Sequence, residues 1–359
     1  MSVRRRGARQ LTAWLAASVL FVCGLLVVLP WSGQALAQGP ATATPYSIFL
    51  PQAAKSVSLA PTATTSRYIS TLDPTTLADQ GCRAATANQN GVIVLDFGSP
   101  RIQDANFGTR IFGAGNFIST TQIAIAAEQF SQGYWNCSSS NARLTLAIGT
   151  TNCGYIPGKT GCNINSTNIT REHGQAWRQM VKQASEWVNQ SGYAGRISIA
   201  GANGIELSWC SASETRAWVD GYFSTAPAEL YALYNFGACD GCPYLASQNW
   251  ALPYDWTKED VWYVSWGAWT TYTLPEIYLT NGWNASQWYL MSIWAHTNHD
   301  SAIRFAGSFT QWQACQDVGG CTSTGNTPTV GWTQLYNALN ADARTMQGLP
   351  LATDITWQQ

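Results

Sequence analysis

Short apolar runs alternate with helical segments from residue 91 to the end of the chain. The run Val92–Asp96 is apolar at four consecutive positions, which is typical of a strand buried on both faces. The clearest helix spans His173–Asn189, where apolar side chains recur at helical spacing and Gly192 follows the last turn. Because strands that alternate with helices favour a parallel sheet, the sequence predicts an α/β fold.

Five further strands are predicted, and an irregular one is expected within Phe107–Phe117. The five are Arg143–Ile148, Arg196–Ala200, Glu229–Tyr234, Val261–Ser265 and Ala302–Ala306. Residues 91–359, about 270 residues, have the length of one (β/α) barrel, so we expect a single TIM-like barrel domain with irregular members. An open doubly wound sheet is the alternative, but no Gly-rich dinucleotide fingerprint follows the first strand.

The first 90 residues do not follow this pattern. Residues 1–37 combine a basic start, an apolar run and the segment Ala35-Leu36-Ala37, which is typical of a signal peptide cleaved near Ala37. An uncleaved membrane anchor is the alternative. Residues 38–90 are expected to form an Ala/Thr/Pro-rich linker and a lead-in to the barrel. The sequence therefore predicts a secreted or cell-surface protein.

The charge of the chain bears on its partners. Residues 1–37 contain four Arg and no acidic residue, so their removal changes the net charge from −1 to −5. Without a basic patch, the protein is not expected to bind nucleic acid. Only 11% of the residues are charged, which suits neutral polar ligands. We expect a monomer without cofactor or metal, and contact with a membrane only through an uncleaved signal segment.

Nine Cys residues follow the predicted signal peptide, and an exported chain is expected to use them in structural disulfides. The expected pairs are Cys153 with Cys162, Cys315 with Cys321, and Cys82 with Cys137. Cys210, Cys239 and Cys242 leave one odd thiol however they pair, so their connectivity stays open.

Carboxylates, amides and tryptophans lie at or just beyond the predicted strand ends, where a barrel carries its working residues. The carboxylates are Asp96, Glu206 and Glu276, and we predict that they are catalytic. The predicted substrate-binding residues are Asn152, Asn203, Asn235, Trp209, Trp266 and Trp269.

Two carboxylates across a glycosidic bond can cleave it, since one protonates the leaving oxygen while the other attacks or activates water. A flanking aromatic wall can raise the pKa of the acid by removing water from it. Glu206, with Trp209 three residues later, is the predicted general acid, and Glu276 or Asp96 is the predicted second carboxylate.

Asp96 and the stretch Arg196–Trp209 together resemble the family 25 glycoside hydrolases and the wider set of glycoside-hydrolase-like bacterial barrel domains. That family has an Asp on its first strand and an Asp-x-Glu near the middle of the barrel. Asp96 matches the first and Glu206 matches the Glu, but Gly204 stands where the family has the second Asp. The resemblance implies a bacterial enzyme that cleaves peptidoglycan.

The sequence thus favours a glycoside hydrolase that acts on peptidoglycan glycan or another cell-wall or environmental polysaccharide. Two other hypotheses stay open. One is a non-catalytic barrel that binds carbohydrate through its Trp-lined rim. The other is a structural cell-surface domain displayed by the linker.

Overall fold

Strands and helices alternate through most of the described chain. The computed structural model describes residues 59–154, 162 and 166–358. The strands are β1 (Thr64–Tyr68), β2 (Gly91–Asp96), β3 (Ser99–Gln103), β4 (Asn106–Arg110), β5 (Phe117–Ser119), β6 (Leu144–Thr151), β7 (Ile197–Gly204), β8 (Leu233–Asn235), β9 (Thr271–Thr273), β10 (Gly307–Thr310) and β11 (Leu351–Trp357). The helices are α1 (Pro74–Thr86), α2 (Thr120–Cys137), α3 (Arg171–Gln190), α4 (Ala212–Tyr222), α5 (Lys258–Trp262), α6 (Trp283–His299), α7 (Trp312–Asp317) and α8 (Pro328–Asn340). A π-helical turn, Tyr263–Gly267, continues α5.

Eight parallel strands form the main sheet, in the order β10-β11-β1-β2-β6-β7-β8-β9. Two isolated parallel bridges, Thr273 with Phe305 and Glu276 with Phe309, join its two edges. The sheet is therefore nearly closed into a barrel. This confirms the predicted α/β class and is consistent with a TIM-like barrel.

The continuous apolar run of β2 has a direct explanation in the barrel. Val92 and Val94 belong to the apolar cluster inside the barrel, whereas Ile93 and Leu95 belong to the cluster between the sheet and the helices. Because side chains alternate along a strand, Asp96 continues the inward set at the carboxyl end of β2. The strand thus needs apolar residues on both faces and ends with a carboxylate at the barrel mouth.

The barrel begins earlier than the sequence indicated. β1 pairs with β2 on one side and with β11 on the other, and α1 follows it. Residues 64–90, assigned to the linker and the lead-in, therefore belong to the barrel. β1 can be polar and still buried because hydrogen bonds satisfy its side chains. Thr64 Oγ1 donates to Val92 O, and Ser66 Oγ bonds Thr353 Oγ1 at 2.7 Å.

Three predicted strands differ from the structure in type or position. The segment Val261–Ser265 was predicted as a strand and is helical, because Thr257 caps α5 and its side chain accepts the Asp260 N–H. The strand expected at Ala302–Ala306 lies instead at Gly307–Thr310. The Phe107–Phe117 region forms part of a separate antiparallel sheet, β3-β4-β5, rather than a barrel strand.

Four disulfides are present in the described chain. Three are the predicted pairs, Cys82–Cys137, Cys153–Cys162 and Cys315–Cys321, and the fourth is Cys239–Cys242. Cys210 is the odd thiol and is buried. Four disulfides fit a protein that matures in an oxidising compartment.

The predicted signal peptide, residues 1–37, and the linker up to residue 58 lie outside the described residues. In the part of the chain that the structure describes, no helix combines the length and the apolar character needed to span a membrane.

Candidate active site

A cavity of about 360 Å³ opens at the carboxyl ends of the barrel strands. Its walls come from β1, β2, β6, β7 and β11 and from the loops beyond β8, β9 and β10. Its lining residues include Tyr68, Asp96, Phe112, Thr151, Gly204, Trp209, Phe236, Glu276, Gln311 and Trp357. Two predicted acids and one predicted tryptophan therefore meet in one cavity, at the end of the barrel where the sequence analysis expected them.

Asp96 lines this cavity and is almost fully enclosed, with 1% of its surface exposed. Its Oδ1 accepts the Gly98 N–H at 2.9 Å. Burial raises the pKa of Asp96 to about 7, although the hydrogen bond from Gly98 opposes the increase by stabilising the ionised form. Near neutral pH this carboxyl group can therefore exchange its proton.

Glu206 lies in the loop between β7 and α4, and Asn152 holds its backbone. The Asn152 side chain donates from Nδ2 to Glu206 O at 2.9 Å and accepts the Glu206 N–H on Oδ1 at 3.0 Å. Asn152 has no exposed surface, so this paired contact is shielded from water. The turn that follows brings Trp209 N within 3.2 Å of Glu206 O, and Trp209 lines the cavity.

Burial is the main cause of the raised pKa of Glu206, and the charge of Asp240 adds to the increase. Together they raise the pKa of Glu206 to about 8. A carboxylic acid in this range keeps its proton at pH 7 and can donate it, which is the property required of a general acid.

The backbone of Glu276 is fixed at the seam where the barrel closes. Glu276 N donates to Gly237 O at 3.1 Å, and Ile277 N donates to Phe309 O at 2.8 Å. The bridge between Glu276 and Phe309 belongs to the same seam. The position of this carboxyl group is therefore set by the loop beyond β8 and by β10 together.

Glu276 and two tyrosines form a connected polar group. Tyr278 hydrogen-bonds to the carboxyl group of Glu276 and shares a second hydrogen bond with the Tyr68 hydroxyl. Burial, followed by the charge of Glu206, holds the pKa of Glu276 well above its usual range; Asp240 and Asp96 also raise it, and Tyr278 lowers it. The three predicted acids are thus electrostatically linked through Glu276.

Gly204, the position at which the chain departs from the Asp-x-Glu pattern, also lines the cavity. A Cβ atom there would meet Cε2 of Phe236 at 2.9 Å. The Phe236 ring therefore occupies the space that a side chain at position 204 would need. The carboxyl groups near Glu206 come instead from other elements: Asp240 beyond β8 and Glu276 beyond β9.

Two predicted tryptophans do not lie at this site. Trp266 is part of the π-helical turn and packs against the outer apolar cluster, and Trp269 lies two residues before β9 begins. Because the cavity is at the carboxyl ends of the strands, a residue that precedes β9 lies toward the opposite end of the barrel. Neither Trp266 nor Trp269 therefore lines the cavity with Glu276. The predicted strand at Val261–Ser265 had placed them at the carboxyl end of the barrel, but that segment is helical.

The three predicted amides do not line the cavity. Asn152 holds the backbone of Glu206, as described above. Asn235 Nδ2 donates to Ser265 Oγ at 3.0 Å, and its Oδ1 accepts the Gly237 N–H. Asn203 is 1% exposed, on the face of β7 opposite the interior residues Ala200 and Ala202.

Sequence reasoning missed Tyr68, Tyr278 and Asp240. Tyr68 ends β1, which lies in a segment too polar to suggest a barrel strand. Tyr278 comes two residues after Glu276, and alternation along an extended chain is the signal that could have identified it. Asp240 lies in a Gly/Cys-rich loop without a local pattern that indicates its target.

Comparison of the chain with protein-family models and with curated proteins found no match. Within the described residues, no group of three or more His, Cys, Asp or Glu side chains is arranged to hold a metal ion.

Proposed function

We propose that this protein is a secreted glycoside hydrolase that acts on cell-wall or environmental polysaccharide. One observation carries the proposal: Asp96, Glu276 and Trp209 line a single cavity at the mouth of the barrel, with Glu206 linked electrostatically to Glu276. A barrel with carboxyl groups and aromatic walls at this end has the groups needed to bind a sugar ring and cleave the bond beside it.

Glu206 is the general acid in this proposal. With a pKa near 8 it holds a proton at neutral pH and can pass it to the oxygen of the leaving sugar. Asp96 is the second carboxylate, because the Gly98 N–H stabilises its ionised form and its pKa of about 7 is the lower of the two. Its carboxylate attacks the anomeric carbon or activates water.

Glu276 supports this pair from the seam of the barrel. Burial and the neighbouring carboxyl groups raise the pKa of Glu276 well above its usual range, which favours the protonated form. A neutral carboxyl group can donate a hydrogen bond to a sugar hydroxyl or to another carboxylate. Trp209, Phe112 and Trp357 supply apolar wall area against which the faces of sugar rings can pack.

The direct test is the release of reducing ends from a panel of polysaccharides, including peptidoglycan, by the purified protein. Glu206→Gln and Asp96→Asn remove each carboxyl group while preserving side-chain shape, and each should reduce kcat on the order of 10²-fold or more. Glu186→Gln is the matched control, because Glu186 is exposed on α3 and, within the described residues, forms an ion pair with Lys182 alone, at 3.7 Å. It should leave the rate unchanged.

Two results would contradict the proposal. One is activity that Glu206→Gln leaves intact. The other is a wild-type protein that retains glycan without producing new reducing ends, which would favour a non-catalytic carbohydrate-binding barrel.

The proposed roles also fix the pH dependence. Activity requires Asp96 without its proton and Glu206 with its proton, so kcat/KM should be bell-shaped, with an acid limb near pH 7 and an alkaline limb near pH 8. Initial rates from pH 5 to pH 10 on the best substrate measure both limbs. A rate that keeps rising above pH 9 would rule out Glu206 as the acid.

A further inference from the structure

The loop between β8 and α5, residues 236–257, packs closely against the loop that carries Glu206. At Gly237 a Cβ atom would meet Ile205 O at 2.0 Å, so only glycine permits the approach. At the far end, Trp256 Nε1 donates to Cys210 O at 2.8 Å. The two loops are therefore in contact on both sides of Glu206.

Two aspartates of the β8–α5 loop bind consecutive backbone N–H groups on the Glu206 side. Asp240 accepts Leu207 N on Oδ1 at 2.5 Å and Ser208 N on Oδ2 at 2.9 Å. Asp255 makes the same kind of contact with Ala212 N at 2.7 Å and Ser213 N at 3.2 Å, at the start of α4. Each carboxylate fixes two successive peptide groups, but only Asp240 does so directly beside Glu206.

Asp240 is itself held in a short, cross-linked turn. The Cys239–Cys242 disulfide brackets it, Cys242 N donates to Cys239 O at 3.0 Å, and Gly241 adopts a φ of +86° that suits glycine. Gln287 Nε2 of α6 donates to Cys242 O at 2.8 Å. The disulfide and these hydrogen bonds therefore hold the turn that carries the Asp240 carboxylate.

We propose that Asp240 is a positioning residue for Glu206, which fixes the peptide groups that follow Glu206 and places a negative charge beside its carboxyl group. The acid role of Glu206 rests on the proposed function, whereas the hydrogen bonds of Asp240 with Leu207 N and Ser208 N do not depend on that role. The energetic consequence is that ionisation of Glu206 is opposed, so its proton is retained at neutral pH.

Several groups besides Asp240 face Glu206 and contribute to its charge environment. The charge of Glu206 raises the pKa of Glu276, which lies in the loop beyond β9, and also the pKa values of Tyr68 and Tyr278. Burial remains the largest cause of the raised pKa of Glu206, and Asp240 is the charge that adds to it. Removal of the Asp240 charge should therefore lower the pKa of Glu206 but leave it above that of an ordinary glutamate.

The test is an NMR titration of the full chain labelled with ¹³C at the glutamate carboxyl groups, without substrate. The Glu206 signal is identified by its loss in Glu206→Gln. Asp240→Asn should lower the pKa of Glu206 by about one pH unit, because a like charge is removed. Asp240→Ser, whose hydroxyl can still accept one N–H, is the second variant and carries the same expectation.

Asp255→Asn is the matched control, since it changes an aspartate with the same backbone contacts and the same loop but without a charge effect on Glu206. It should leave the Glu206 titration in place. An unchanged pKa in both Asp240 variants, or an equal shift in Asp255→Asn, would overturn the proposal.

The rate measurement separates this proposal from the proposed function. In an active enzyme, the alkaline limb of kcat/KM should move to lower pH in Asp240→Asn by the same amount as the NMR titration. A protein that cleaves no glycan but shows the NMR shift would overturn hydrolysis while supporting the positioning of Glu206 by Asp240.

Discussion

Asp96 illustrates how a residue at this site opposes folding. Its pKa rises from 3.8 to about 7 on folding because it is buried. Below pH 3.8 the proton is bound in both states and ionisation costs nothing. As the pH rises from 3.8 to 7, only the unfolded chain releases the proton, so stability is lost across this range, by on the order of 4 kcal/mol in total.

Asp96→Asn should therefore stabilise the protein above pH 7 while it removes activity. Asparagine keeps an oxygen that can accept the Gly98 N–H and carries no charge. Urea unfolding at pH 5 and at pH 8.5 measures the effect, and the advantage of the variant should be larger at pH 8.5. A variant that is less stable than the wild type by the same amount at both pH values would show that the buried charge is not the cause.

Residue types at strand ends were the most predictable part of the site. Asp96 ends β2, so alternation along that strand places it at the mouth, whereas Glu276 lies beyond β9, a strand that the sequence did not predict. The amides at Asn152 and Asn235 lie at the ends of β6 and β8 as well, but they bond backbone groups and Ser265 rather than face the cavity. Sequence position gives the height along the barrel, whereas the direction of a side chain after the strand ends depends on the loop.

At the scale of elements, the close contact between the ends of β7 and β8 restricts what the chain can carry near Glu206. A side chain at Gly204 would displace the Phe236 ring, which itself lines the cavity. Gly204→Ala should therefore cost about 1–3 kcal/mol of stability and lower activity, as overpacking does. Chemical denaturation and the reducing-end assay measure the two effects.

Gly195→Ala is the comparison for this substitution, because nothing lies within 4 Å of a Cβ atom at that position. It should change stability by less than Gly204→Ala does and leave activity unchanged. Equal effects of the two substitutions would indicate a general intolerance of glycine replacement rather than a contact with Phe236.

Elements with a strong periodic pattern were predicted well, and short apolar runs were not. The helix expected at His173–Asn189 is α3, Arg171–Gln190, because its apolar face repeats over five turns and covers the sheet. The run Val261–Ser265 is too short for periodicity to distinguish a strand from a helix, and the capping contacts of Thr257 decide in favour of a helix. Because that segment was predicted as a strand, Trp266 and Trp269 were predicted at the carboxyl ends of the strands, where they do not lie.

At the scale of the whole molecule, closure depends on pairs that are far apart in the sequence. β1 pairs with β11, and Thr64 lies beside Thr353. No local pattern in the polar segment Thr64–Tyr68 indicates this partner, so β1 and its Tyr68 could not be placed from sequence alone. Asp96 and Glu276 reach one cavity only because the elements that carry them are arranged around one barrel.

The most direct measurement of the central claim compares two leaving groups. A nitrophenol leaves without protonation, whereas a sugar alcohol needs a proton from an acid. If Glu206 is that acid, Glu206→Ala should lose on the order of 10²-fold or more in kcat/KM on the natural glycan and far less on the matching nitrophenyl glycoside. An equal loss on both substrates, or no loss on the glycan, would contradict the account.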